Sequence, residues 1–223
     1  MITDIILIIA IIALPAIAQF YISSTYKKYS DYENENKLSG FEVARKILDA
    51  NGLNNIDVVS TSGTLTDHYD PKRKVVRLST DVFNGESVAS LAVAAHECGH
   101  AIQDKEGYAL LRFRSILVPV VNVGTSLSYI IIVIGFLFQI FNLVLIGIAL
   151  TGLGLLFQLV TLPVEINASK RAGIQVRTLG LAGHEDLSGT KSVLTAAAMT
   201  YLAGVLASAL QILRLILIFG RRD

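Results

Sequence analysis

Charge disappears from three long stretches of this chain. Ile5 to Tyr26 carries none over 22 residues, Ser115 to Val164 none over 50, and Ser192 to Leu213 none over 22. Apolar sequence resumes after Arg214 up to Phe219. About 20 apolar residues cross the hydrocarbon core of a bilayer as a helix. The longest block is therefore two spans joined by a tight turn near 138–142. Four transmembrane helices are predicted, at roughly 4–25, 115–138, 141–163 and 193–219. Ala16-Ile17-Ala18 in the first block has the spacing of a cleavage site. No basic residue precedes that block, however, and its apolar run is long, so an uncleaved anchor is expected. The fourth span is rich in small residues such as Ala196, Ala203, Gly204 and Ala207, which let membrane helices approach closely. Its other reading is a helix buried against the polar part of the chain.

The polar segment 27–114 alternates in character. Residues 29–39 are polar and acidic and read as a linker. Ser39-Gly40-Phe41-Glu42 opens a helix through Asp49, stopped by Asn51-Gly52. Ile56 to Ser60 is β-branched and predicts a strand, 61–67 a Ser/Thr/Gly loop, and 74–79 a second strand. Asn84-Gly85 is placed as a cap before a helix from Glu86 to Gln103. The order is helix, strand, loop, strand, helix, a minimal zincin-like module. The strand just upstream of the last helix could present a free edge to an extended peptide, or belong to a plain structural hairpin.

Composition sharpens this picture. Of 223 residues 52% are hydrophobic, and the mean hydropathy of +0.57 is too high for an ordinary soluble protein. The fold class expected is a mainly α integral membrane protein with a small α+β module. It divides into an anchor (1–26), a catalytic module (27–114), a membrane hairpin (115–163), a further polar segment (164–191) and a last span (192–223). Net charge is +1 and names no partner. No basic, aromatic-interleaved stretch points to nucleic acid. The single cysteine, Cys98, excludes an intrachain disulfide and reads as a small buried filler. Lys27, Lys28, Arg112, Arg114, Lys170, Arg171, Arg177 and Lys191 flank the spans so that 27–114 and 165–191 face the cytoplasm. Arg221 and Arg222 argue weakly against that orientation.

The chemistry concentrates at His96-Glu97-Cys98-Gly99-His100. Two of the chain's four histidines lie there. On a helix, positions i and i+4 share one face, so both imidazoles can grip one zinc ion, with Glu97 beside it to handle the proton of a water. A catalytic zinc site takes three protein ligands. Asp104 and Glu106, just past the motif, cannot easily curl back. Glu165 is the outstanding candidate, because it is the first charge after 50 apolar residues and the hairpin returns the chain to the same side. A carboxylate at that depth is costly unless paired or metal-bound. The competing reading is an acid at headgroup level beside Lys170 and Arg171. His184 and His68 are weaker candidates.

Several stretches together resemble the YugP-type family of bacterial membrane zinc metallopeptidases. They are 67–71 (DHYDP), 77–79 (RLS), 94–103 (AAHECGHAIQ), 162–169 (LPVEINAS) and 196–201 (AAAMTY), within nearly the whole chain. The layout is also similar to the HtpX and CAAX-type membrane proteases. The resemblance implies one zinc ion per chain held by His96, His100 and Glu165, with Glu97 as catalytic acid/base. Those relatives carry an aspartate four residues after the ligand glutamate, able to brace a ligand histidine. This chain has Ser169 there, which leaves Ser169, Asn167 or Asp70 to orient the imidazoles.

The expected function is a membrane zinc metalloendopeptidase of the cell membrane, active at the cytoplasmic face on peptides or membrane proteins, as in quality control or processing. Zinc lowers the pKa of a bound water toward ~7 and polarises the scissile carbonyl. Glu97 takes the water's proton and delivers it to the leaving amine. A further donor to the oxyanion is needed, and His68, Tyr69, His184 and Tyr201 are the candidates. Two other classes share these residues: a zinc hydrolase of a non-peptide bond, and an inactive zincin-like membrane scaffold. The intact Glu97 disfavours the scaffold. Oligomeric state is open.

Overall fold

A computed structural model describes residues 2–219; Arg221 and Arg222 lie outside the described residues. The elements in chain order are α1 (Ile2–Ser30), α2 (Gly40–Ala50), β1 (Asp57–Thr61), β2 (His68–Asp70), β3 (Val75–Ser79), α3 (Thr80–Asn84), α4 (Val88–Lys105), α5 (Ala109–Leu137), α6 (Phe141–Thr178) and α7 (His184–Phe219). The protein is mostly helical with one small sheet. Four of its helices, α1, α5, α6 and α7, are long and apolar enough to cross a membrane. The chain forms two compact units. One comprises residues 1–19, 109–163 and 200–223, and the other 20–108 and 164–199.

The first unit is built from apolar helices. The turn between α5 and α6 falls at 138–140, with Gln139 in the left-handed region at φ 57°. The two helices then pack through glycine. A Cβ on Gly135 would come within 2.8 Å of the Val144 backbone nitrogen, and one on Gly147 within 2.4 Å of the Ile132 side chain. Membrane helices lack a hydrophobic drive toward one another, so close backbone approach supplies the dispersion contact instead. Arg214, the charge inside the last apolar run, donates to Asp4 at 2.7 Å. That pair ties the start of α1 to the end of α7, and so places both at one end of the unit.

The second unit is a mixed α/β body. Ser39 caps α2 by accepting from the Glu42 N–H, and the Glu42 carboxylate returns to the Ser39 N–H at 2.8 Å, a complete capping box. The helix buries Val43, Ala44, Ile47 and Leu48, one stripe at helical spacing. The sheet has order β1-β3-β2, with β1 parallel and β2 antiparallel to β3. Val76 and Leu78 of β3 reach the same core as α2. α4 runs through this core and is buried on nearly every side, with Ala, Gly and Cys at half of its buried positions. Small residues are needed there, because neighbouring elements press on several faces of one helix.

Three expectations are corrected. β3 is the central strand, paired on both sides, so the strand just upstream of α4 has no free edge to offer. Its second partner, β2, was hidden in polar sequence, His68-Tyr69-Asp70, with no apolar alternation to mark it. The cap of α4 is Ser87, which accepts from the Ser90 N–H. Asn84 instead ends the short helix α3, and Gly85 is its C-cap, pressed against the Asp81 carbonyl and Ser90.

The acidic linker is also better ordered than its composition suggests. α1 continues to Ser30. Beyond it, Asn34 is buried, accepting from the Leu38 N–H and donating to the Leu38 carbonyl. The Asn34 N–H reaches the Glu86 carbonyl at 2.8 Å, and the Val88 N–H reaches the Tyr32 carbonyl at 2.9 Å. Polar sequence is ordered here because it satisfies backbone groups at the start of α4.

Removing the capping hydroxyl with Ser39→Ala is expected to cost the second unit about 1 kcal/mol. Denaturant unfolding followed by amide exchange of α2 would register the loss.

Candidate metal centre

His96 and His100 occupy successive turns on one face of α4, their ring centroids 4.8 Å apart and nearly perpendicular. α6 approaches that face through Gly99. A Cβ on Gly99 would lie 2.5 Å from the carbonyl oxygen of Ala168, so the two backbones touch and only glycine fits. Val164, Ala168 and Ala172 line this side of α6 and are fully buried. The contact sets the height of Glu165, one turn earlier on α6.

Glu165 is 2% exposed. Its Oε2 lies 3.1 Å from His96 Nε2 and 3.4 Å from His100 Nε2. All the donor atoms of this trio fall within 4.8 Å of one another, so they could hold a metal ion. The surrounding hydrogen bonds decide what the three atoms want. Gln103 Nε2 donates to the Val164 carbonyl at 2.8 Å and to Asn167 Oδ1 at 2.9 Å. Those two acceptors orient the amide and leave its Oε1 facing His100 Nδ1 at 3.0 Å. A carbonyl oxygen can only accept, so His100 Nδ1 carries the proton. A neutral His100 then turns a bare Nε2 lone pair toward the buried carboxylate. Two acceptors facing each other in the interior require a cation between them. Zinc meets that need with an imidazole–imidazole–carboxylate donor set.

The same neighbours act on the basicity of His100. Burial favours its neutral form, but the Glu165 carboxylate bonded to it and the negative charge of Glu97 outweigh that, so its pKa is raised.

His96 is braced from the other helix. Ser169 Oγ lies 3.1 Å from His96 Nδ1, one turn beyond Glu165 on α6. A serine at this position thus reaches the ring directly. Asn167 does not touch a ligand; it accepts from Gln103 and from Arg171 Nε at 2.7 Å, one step further out. Asp70 is occupied elsewhere, accepting from the N–H groups of Lys72 and Arg73 in the turn after β2. It gives the imidazoles no bond. Gln103 was missed in the sequence, although it sits three residues past His100 and therefore on the same helical face.

Glu97 is 7% exposed. Among the described residues no hydrogen bond or ion pair holds its carboxylate, and its oxygens are not sealed from solvent. Cys98 points the other way, into the core, where its thiol meets the Ala44 carbonyl at 3.6 Å. Burial, reinforced by the charge of Glu97, pushes that thiol well up from its ordinary range, so it is held neutral.

Three of the four candidate oxyanion donors, His68, Tyr69 and His184, belong to the second unit. Tyr69 is buried and its hydroxyl donates to Asp104 Oδ2 at 2.7 Å, where Lys74 also binds. That hydroxyl is committed to holding β2 against α4, which corrects the expectation for Tyr69. His68 is exposed on β2, its Nδ1 2.8 Å from the Thr66 carbonyl. His184 is exposed at the first position of α7. Tyr201 belongs to the other unit. Asp104 and Glu106 are paired away from the trio, with Lys74 and Arg171 respectively.

Two substitutions probe this construction. Ser169→Ala is expected to weaken zinc binding about tenfold, and Ser169→Asp to restore it, read by competition with a chelating indicator. Gly99→Ala forces α4 and α6 apart at a filled contact. It should cost about 1–3 kcal/mol and lower retained zinc, measured by thermal unfolding and by metal content after desalting.

Comparison with known proteins identifies a family for the chain. Residues 4–220 match the family described as "Putative neutral zinc metallopeptidase". The chain is 44% identical over 213 residues to "Putative membrane protease YugP" of Bacillus subtilis (strain 168), covering 96% of this chain and 95% of that one. No solved structure matches it. With a match along nearly its whole length, the chain belongs to this family of neutral zinc metallopeptidases.

Proposed function

We propose that this protein is a membrane metalloendopeptidase that cleaves peptide bonds with zinc held by His96, His100 and Glu165. The observation that carries the reading is the convergence of two imidazole nitrogens and a buried carboxylate oxygen, next in sequence to a second carboxylate, Glu97, that no hydrogen bond or ion pair holds among the described residues. The trio fits zinc in donor type and in number, and leaves a coordination position open. When bound, zinc acidifies a water molecule and polarises a carbonyl.

The chain's own residues do the rest. Glu97 accepts the proton of the attacking water and passes it to the leaving amine nitrogen. Its low exposure raises the force of its charge on a proton nearby. Gln103 and Ser169 keep the two rings in the orientation that turns Nε2 inward. A bare carboxylate beside the trio has no use in a scaffold, which favours an enzyme. The membrane helices, with Lys27 and Lys28 in the last turn of α1 and Arg112 and Arg114 near the start of α5, support a site at the cytoplasmic surface of the cell membrane. There it would act on membrane proteins or their exposed tails, in quality control or processing.

Glu97→Gln keeps the shape of the side chain and removes its basicity. Purified in detergent, this variant is expected to retain one zinc per chain while losing cleavage of an unfolded membrane-protein substrate by about 10²–10⁴-fold. Cleavage at the wild-type rate would refute the mechanism. Treatment with a strong chelator should likewise abolish cleavage, and added zinc should restore it.

A further inference from the structure

A groove runs between the parts of α6 and α7 that belong to the second unit, and its wall includes Ser169, the residue bonded to His96. Its volume is about 520 Å³. The α6 wall extends from Ile166 to beyond Arg177, a length of about 17 Å along a helix. Ile166, Ile174, Leu187 and Leu194 make it largely apolar.

Three cations interrupt that lining: Lys170, Arg177 and Lys191. All three are exposed, and no acidic side chain lines the groove. Among the described residues none of the three has an acidic partner, although Arg171, between them in sequence, is paired with Glu106.

The distribution of charge indicates the occupant. A phospholipid needs its cations at one end and apolar surface at the other. Here Lys170 and Arg177 are two turns apart, about 10 Å along the helix, with apolar residues between them. An extended polypeptide of about five residues covers the groove's length and can carry acidic side chains among apolar ones. We infer that the α6–α7 groove is a substrate subsite that binds an extended peptide segment bearing acidic and apolar residues, next to the bond to be cut. This rests on the peptidase reading given above.

The test separates binding from cleavage. Two labelled peptides are matched in apolar sequence, one with glutamates and one with lysines at the charged positions. Binding to zinc-loaded Glu97→Gln protein in neutral detergent is read by fluorescence anisotropy, and cleavage is read with the wild-type site. The acidic peptide should bind about tenfold more tightly. Lys170→Glu/Arg177→Glu/Lys191→Glu should reverse the order, and Arg177→Glu alone should narrow the gap. A loss of fold would abolish binding of both peptides rather than reverse their order. Equal binding of the two peptides, or an acidic preference that survives the triple change, overturns the subsite. Binding preference without cleavage of either peptide leaves the subsite standing and refutes the peptidase. Cleavage without charge preference does the opposite. If labelled phosphatidylglycerol is retained by the unreversed protein, released by the triple variant, and displaces the acidic peptide, the groove is a lipid site and the subsite is overturned.

Discussion

A carboxylate with almost no access to solvent sits against two imidazole nitrogens, and much of the second unit is arranged around that fact. An ionised Glu165 cannot remain in the interior uncompensated. Its compensation comes from His96 and His100, and the bonds made by their outer nitrogens decide which atoms face inward. Gln103 is the clearest instance. It accepts a hydrogen bond from His100 Nδ1 and donates one to the Val164 carbonyl, one residue before Glu165. One amide therefore couples the orientation of a ring on α4 to the backbone of α6.

The same constraint explains the composition of α4. A helix that must carry the motif, face α6 at backbone contact and still lie in a core with α2 and the sheet has no room for large side chains on several faces. Gly99 meets the Ala168 carbonyl, and Ala94, Ala95 and Ala101 fill the remaining contacts. Bulk is supplied by neighbours instead, from Ile47 and Leu48 of α2 and Leu78 of β3. The Tyr69–Asp104–Lys74 cluster fastens β2 to the last turn of α4, so the short edge strand is held by side chains as well as by its ladder.

The apolar unit obeys other rules. Its helices expose large aliphatic side chains along their length, and glycines at 135 and 147 let α5 and α6 approach. A charge in such surroundings needs a partner, and Arg214 has one in Asp4. Long helices are shared between the two units. α6 and α7 each begin or end in one and continue in the other, and a single helix thereby carries both lipid-type sequence and site residues.

The sequence alone determined the elements whose signals are local. Four apolar blocks of membrane-spanning length, the capping box at Ser39 and Glu42, and the i, i+4 pairing of His96 and His100 depend only on neighbouring residues and helical periodicity. The importance of Glu165 was legible because an isolated acid after 50 uncharged residues is energetically conspicuous. Other features depended on which chains come together in space. β2 has no alternating pattern, and it exists because β3 offers it a ladder. Tyr69 reads as a free donor until Asp104 is found opposite. Ser169 was marked in sequence only as one of three candidates to orient the imidazoles and Gln103 not at all, and it is the backbone contact of α4 with α6 that brings the one to His96 and gives the amide of the other its direction. Local periodicity thus sets which residues share a helical face, whereas the partner of each polar group is fixed by tertiary packing, since hydrogen bonds between distant segments leave no period in the chain.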